Sequence, residues 1–323
     1  MHAGGEPVRI VVDGYPALPG DTILAKRRYA REHLDHLRRL LMFEPRGHAD
    51  MYGVIPVEPD HPEADLAVLF MHNEGYSTMC GHATIALGRW AVDSGLVPIV
   101  EPETEVAIQV PAGLVRATVE VTGGRTGRTR FESVSAFLAA ATEVAVPGFG
   151  TVPVDIAYGG AFYAFAPAAA LGLDLKGSPV ADLVAGAWAI TAAVAQSMEI
   201  EHPDDPDLGF LYGTILTDGA DDWSPEPTAN ICVFADRQVD RSPTGSGVTA
   251  RIAIQHTRGQ IALGVERTFE SIVGSQFTGK AIRVASVGPH PAVVVEVAGE
   301  AHYTGEAVFA VEEGDGLEPF LVR

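Results

Sequence analysis

Two cysteines occur in the 323-residue chain, Cys80 and Cys232. The first stands where a thiol can do chemistry, in the run Met79-Cys80-Gly81-His82-Ala83. A glycine-containing turn leads there into a predicted helix over 83–90. The first turn of a helix carries unpaired backbone N–H groups and a partial positive charge. That setting favours the thiolate, the reactive form of cysteine. The same amides can hold a carboxylate. One short segment can therefore supply both a base and an anion cradle. A lone cysteine is more often an inert buried residue, so a second signal is needed.

That signal is Asp240-Arg241-Ser242-Pro243-Thr244-Gly245-Ser246-Gly247. If Cys80 is laid on Thr244, Gly81 falls on Gly245 and His82 on Ser246, and a helix of small residues follows in both. The two positions are separated by about half the chain. The spacing predicts two equivalent halves that face each other, each lending one residue to a shared site. Cys232 lies in the apolar run Asn230-Ile231-Cys232-Val233-Phe234 and reads as a residue of a buried core strand.

The flanking elements repeat in the same order. The first half reads as a strand over 8–13, then a helix capped by Asp21 or Thr22 and ending near Phe43. Ile23, Leu24, Leu34, Leu37 and Leu41 form its expected apolar stripe. Strands over 51–56 and 66–71 lead into Cys80. The second half reads as a strand over 152–158, a turn at Gly159-Gly160 and an aromatic run with Phe162 and Tyr163 as expected pocket walls. A helix follows with Ser178 as cap and Pro179 at its first position, ending near Met198. Its apolar stretch, 183–195, is too short for a bilayer and reads as a buried helix. Strands over 209–216 and 230–235 lead into Thr244. Each half continues in β-rich sequence, 105–132 and 267–297, with 123–127 as a hairpin loop. The acidic stretch 218–227 reads as a surface excursion. His33 and His36 fall on a charged, solvated helix face, and His72 lies near the Cys80 turn.

Composition narrows the classes. The chain is long enough for two domains, with 47% hydrophobic residues and a net charge of −20. An acidic surface argues against nucleic-acid or anionic-membrane binding. An anionic substrate must then be held by local amide dipoles. Metal-binding spacings such as HExxH or CxxC are absent from the sequence, so no metal is expected. The two cysteines and the lack of an apolar leader fit a cytoplasmic location.

The chain resembles the proline racemase family. The resemblance is carried by His2-Ala3-Gly4-Gly5-Glu6-Pro7, Glu44-Pro45-Arg46-Gly47-His48, Met79-Cys80-Gly81-His82, Asp155-Ile156-Ala157-Tyr158-Gly159-Gly160, Asp240-Arg241-Ser242-Pro243-Thr244-Gly245 and 270–279. These runs span nearly the whole chain in order. The resemblance implies an α+β, diaminopimelate epimerase-like fold. Two pseudo-symmetric domains, 1–145 and 146–323, would each wrap a mostly antiparallel sheet around a central helix. The active site would lie in the cleft between them, and the last strand is free to return to the first domain. It also implies a homodimer and a small imino-acid substrate. A strand usual in the family ahead of His2 is short or missing.

Family racemases and epimerases carry cysteine where Thr244 stands. The branch with threonine there dehydrates trans-3-hydroxy-L-proline. Racemisation needs an acid/base group on each face of Cα, and an aliphatic hydroxyl is a very poor proton carrier. Dehydration asks for less. The Cα hydrogen and the C3 hydroxyl of this substrate share one ring face. One group there can take the proton and return it to the leaving hydroxyl, giving an enamine that tautomerises to Δ1-pyrroline-2-carboxylate. Cys80 is assigned that role. By resemblance, the amides of Gly81, His82, Gly245 and Ser246 hold the carboxylate. Asp240 binds the ring ammonium, and Thr244 lines the opposite face. No cofactor is required. Two other readings stay open: an epimerase or racemase of 4-hydroxyproline or proline, and a non-catalytic amino-acid-binding protein on the same fold.

Overall fold

A computed structural model describes residues 1–322. Its layout repeats one motif four times, in which two parallel strands are joined through helix. Strand Arg9–Ile10 passes through α1 (Ile23–His33) and α2 (Asp35–Met42) to Tyr52–Val57. Strand Leu66–His72 passes through α3 (Gly81–Asp93) to Glu103–Val110. In the second half, Phe162–Pro167 passes through α4 (Val180–Ser197) to Leu211–Thr217. Finally, Thr228–Phe234 passes through α5 (Gly245–Thr257) to Glu266–Glu270. The remaining pairings are antiparallel, so the sheet is mixed and the class is α+β as the sequence implies. Strand His290–Gly299 pairs with Arg125–Glu132, with Val297 opposite Phe131. Ala301–His302 pairs with His2–Ala3. The late strands thus close onto the first half.

The two central helices are short and small-sided, and that decides their place. Every residue from Gly81 to Gly88 and from Gly245 to Gln255 is buried. A helix without a polar face must be covered on all sides. Glycine, alanine, serine and threonine let strands approach closely on several of those sides. Ile85 and Leu87 are fully buried on α3, each worth about 1.5–3 kcal/mol of transfer free energy.

Several local expectations need correction. The helix read from 22 to 43 is broken at Leu34 (φ −123°, ψ 15°). Thr22, not Asp21, caps it, accepting from the Ala25 N–H at 3.1 Å. No proline or glycine causes the break. The second segment turns so that Arg38 grips Asp35 at 2.6 Å and donates to the His72 carbonyl at 2.8 Å. The buried stripe is also different. Lys26, Arg27, Ala30, Arg38 and Met42 are buried, whereas Leu24, Leu34, Leu37 and Leu41 are only half-buried. The arginines reach inward to backbone carbonyls, Arg27 to Tyr76 at 2.5 Å. In the second half Pro179, not Ser178, is the cap of α4, and Ser178 accepts from the Asp174 N–H at 3.0 Å. Helix α4 buries one face through Leu183, Ala187, Ile190 and Val194 and exposes the other, so it is half-buried. By length and composition it passes the test for a membrane span, as core helices of this kind do. Strand Phe137–Val146 was not foreseen, and it pairs with Gly150–Tyr158.

Candidate active site

Helices α3 and α5 meet end to end. Cys80 is the N-cap of α3 and Thr244 the N-cap of α5. Both line one small cavity together with Gly81, His82, Gly245, Ser246 and Asp240. All seven residues singled out from sequence therefore converge. The cavity volume is about 20 Å³, room for about one water. The cavity is too small for a ring-sized ligand in this conformation. A groove of about 900 Å³ runs between residues 1–12 and the chain at Tyr303–Phe309, but neither cysteine lines it.

The two caps are not equivalent. Cys80 has ordinary extended backbone (φ −146°). Thr244 sits at φ +65°, a region that β-branched residues avoid at a cost of about 1–3 kcal/mol. The turn before it is held by side chains. Asp240 accepts from the Ser242 N–H at 2.7 Å, and Ser242 accepts from the Thr244 N–H at 3.1 Å. Asp240 therefore both braces a turn and faces the cavity. The Thr244 hydroxyl is buried and has no hydrogen-bond partner among the described residues.

Around Cys80 the sulfur lies 3.2 Å from His82 Nδ1. Cys80 makes no side-chain cap hydrogen bond to its helix, but the Ala83 amide of the first turn and the Tyr52 hydroxyl both favour its thiolate. The sequence led us to expect a lowered thiol pKa, and the structure gives the opposite direction. Burial pushes the Cys80 thiol well above its ordinary value. The Ala83 amide opposes that rise, the Asp240 charge adds to it, and the Tyr52 hydroxyl opposes it. Desolvation outweighs the helix end because the sulfur is buried. Burial lowers the pKa of His82 against the pull of Asp240 and a hydrogen bond to Pro7, so its ring stays neutral.

Several site residues escaped the sequence reading. Tyr52, Tyr212 and Phe234 wall the cavity. The Tyr52 hydroxyl also bonds to Ser77 Oγ. Nothing in a single sequence marks Tyr52, which is one strand residue among six in Tyr52–Val57. Of the two expected wall residues, Tyr163 lines the cavity and hydrogen-bonds Ser246 Oγ at 2.8 Å. Phe162 does not. Strand neighbours point to opposite faces, and Phe162 packs with Phe137 and Tyr158 instead. His72 stands behind the wall, bonded to Gln238 at 3.0 Å, and burial pushes its pKa down to about 3. Cys232 is buried on a strand as expected, yet it also lines the cavity. Glu6, inside the quoted His2-to-Pro7 run, is wholly buried and accepts from the Arg241 N–H at 2.7 Å, which fixes the residue after Asp240. Among the described residues no cluster of three or more metal-ligating side chains occurs.

The sequence pattern of the proline racemase family matches residues 1–320. The chain is 60% identical to a trans-L-3-hydroxyproline dehydratase of Xenopus tropicalis, over 100% of this chain and 94% of that one. It is 59% identical to the trans-3-hydroxy-L-proline dehydratase of Homo sapiens, over 100% and 93%. It is 48% identical to a 3-hydroxyproline 2-epimerase of Burkholderia multivorans, over 100% and 97%. Among solved structures, a probable proline racemase of Agrobacterium radiobacter superposes with a TM-score of 0.91 at 27% identity, covering 98% of this chain and 93% of that chain. A hydroxyproline epimerase of Agrobacterium vitis with bound trans-4-hydroxy-L-proline superposes with a TM-score of 0.88 at 27% identity, covering 94% and 89%.

Proposed function

The chain belongs to the proline racemase family, and we propose that it is a hydro-lyase that converts trans-3-hydroxy-L-proline to Δ1-pyrroline-2-carboxylate. The observation that carries this reading is the pairing of Cys80 with Thr244 as the caps of two abutting helices. A proton carrier stands directly on one side of the cavity and an aliphatic hydroxyl on the other. The roughly 60% identity to proteins named for this dehydration supports it independently.

The Cys80 thiolate takes the Cα proton, and the C3–O bond breaks as the new thiol protonates the departing hydroxyl. Water leaves, the sulfur returns to thiolate, and the Cα=C3 enamine tautomerises to the cyclic imine. The helix-end amides of Gly81, His82, Gly245 and Ser246 hold the substrate carboxylate and oppose the charge that builds at Cα. Each such donor is worth about 2.7–4 kcal/mol of barrier. The raised pKa of the Cys80 thiol is one obstacle that the substrate itself reduces. Asp240 is a cause of that rise, and a ring ammonium seated on Asp240 offsets its charge. The His82 ring lies 3.2 Å from the sulfur, within hydrogen-bond reach of the reacting group. These steps call on no metal or organic cofactor.

We take 1–145 and 146–323 as the two working units, acting in a cytoplasmic homodimer. The two cysteines and the family resemblance support that assignment. A second reading, inversion at Cα, is favoured by the 48% identity to a 3-hydroxyproline 2-epimerase. Incubation with trans-3-hydroxy-L-proline decides between them. Imine trapped with o-aminobenzaldehyde supports dehydration, and inverted substrate without loss of water overturns it. A mere binding role predicts that Cys80→Ser changes nothing.

A further inference from the structure

We infer that the Tyr212 hydroxyl binds the C3 hydroxyl of trans-3-hydroxy-L-proline and sets the preference for a 3-hydroxylated ring over an unsubstituted one. The inference rests on the proposed dehydration, with Cys80 as the Cα base.

A backbone irregularity puts Tyr212 at the cavity. Strands Phe162–Pro167 and Leu211–Thr217 run parallel, and their register jumps from Phe162 opposite Leu211 to Tyr163 opposite Gly213. Tyr212 is the extra residue of that bulge. Bulges re-aim side chains and recur beside active sites. Leu211, just before it, packs against the core cluster around α4, whereas Tyr212 lines the cavity. Three rings then fix its direction. Phe234 stacks on it at 5.2 Å, and His72 and Tyr163 meet it in edge contacts at 5.7 and 5.8 Å. The ring is clamped, yet the hydroxyl at its end is buried and has no hydrogen-bond partner of normal geometry among the described residues. The Tyr52 and Ser77 hydroxyls, which also act on it, bond to each other. Buried polar groups are ordinarily paired, so an orphan at a ligand cavity marks a group left for the ligand.

The substrate has one polar group left to match. Its carboxylate goes to the helix-end amides and its ammonium to Asp240, which leaves the C3 hydroxyl. Among the described residues, two hydroxyls at the cavity lack a partner, those of Tyr212 and Thr244. Thr244 caps the helix on the side of the ring opposite Cys80. The C3 hydroxyl is on the Cys80 side, with the Cα hydrogen, and Tyr212 is the orphan within electrostatic range of the Cys80 sulfur. Burial pushes the Tyr212 pKa well above its ordinary value, and the Cys80 charge adds to the rise. The phenol therefore keeps its proton and meets the C3 oxygen as a hydrogen-bond donor. As the C3–O bond breaks, that hydrogen bond strengthens against the charge gathering on oxygen. The proton that completes the departing water still comes from Cys80, and Tyr212 retains its own.

The test compares binding of trans-3-hydroxy-L-proline and L-proline by calorimetry in Cys80→Ser protein, where turnover is blocked. That protein should bind the hydroxylated ligand about 10-fold more tightly, and adding Tyr212→Phe should bring the ratio to about 1. A ratio of two ligands on one preparation does not depend on the folded fraction, so a purely structural role of Tyr212 would leave it unchanged. With Cys80 in place, Tyr212→Phe should lower kcat for imine formation about 10²-fold, the usual worth of one donor to a developing charge. A binding ratio unmoved by Tyr212→Phe, or equal binding of both ligands by Cys80→Ser, overturns the inference and leaves the dehydration standing. Absence of imine from wild type sinks the proposed function and this inference with it.

Discussion

Gly81 and Gly245 touch backbone to backbone where the two central helices meet. A Cβ on Gly245 would stand 2.6 Å from the Gly81 Cα, closer than any real side chain sits. The two helix ends can abut only because both positions lack a side chain. Gly245→Ala should hold the helix ends apart, costing about 1–3 kcal/mol of overpacking. A displacement near 1 Å can cost about 10²-fold in rate. We expect kcat/KM on trans-3-hydroxy-L-proline to fall about 10²-fold with circular dichroism unchanged. Retained activity would show that the halves need not close this tightly.

Cys80→Ser keeps the shape of the cap but replaces the titrating group with an alcohol. Loss of a positioned acid/base group costs about 10²–10⁴-fold. Imine formation should fall within that range, while calorimetry still detects binding of the substrate. Wild-type turnover by the variant would exclude the thiolate mechanism.

The converging residues were legible because chemistry demanded specific types at a repeated spacing. Cys80, Gly81 and His82 echo Thr244, Gly245 and Ser246, and all meet at one cavity. The walls were not legible. Tyr163 faces the cavity and Phe162 faces away, a choice set by strand register. Both are apolar neighbours in sequence, so neither could be preferred. The break at Leu34 was hidden for a similar reason. A tertiary demand, Arg38 reaching the His72 carbonyl, overrode an uninterrupted helical pattern. The thiol pKa went the wrong way because the helix end was visible in sequence and the depth of burial was not.

Tyr52→Phe removes the hydroxyl that holds the Cys80 thiol pKa down, so the variant's thiol pKa should be higher. The ascending limb of kcat/KM against pH should move to higher pH. The maximum should fall about 10- to 100-fold, in line with roughly 1.5–3 kcal/mol for a hydrogen bond to a charged group. An unmoved limb would mean that Tyr52 does not act on the reacting thiol.

Asp240→Asn should move the same limb in the opposite direction. The Asp240 charge raises the Cys80 thiol pKa, and removing it lowers that value. The variant also loses the partner assigned to the ring ammonium, so KM should rise. The combination of a limb at lower pH with a higher KM separates Asp240 from a residue that merely braces the turn through Ser242. A variant with unchanged KM would remove Asp240 from substrate binding.

The acidic loop read as a surface excursion anchors α5. Arg251, 2% exposed, bonds Asp221 at 3.0 Å and Asp218 at 3.2 Å. Desolvation works to raise the Asp218 pKa, but hydrogen bonds from the Ala229 N–H and Thr228 hydroxyl and the Arg251 charge outweigh it and leave the value lowered. A carboxyl whose folded pKa lies below its unfolded value stabilises the fold above the unfolded value, about 3.9 for aspartate. That contribution is lost as pH falls through the folded value. Asp218→Asn should therefore lower Tm at neutral pH, by an amount matching about 1–3 kcal/mol because Asp221 still faces Arg251. The gap between variant and wild type should shrink as pH drops below about 3.9. Thermal unfolding followed by circular dichroism across that range checks both statements, and a gap independent of pH would exclude the charge on Asp218 as its source.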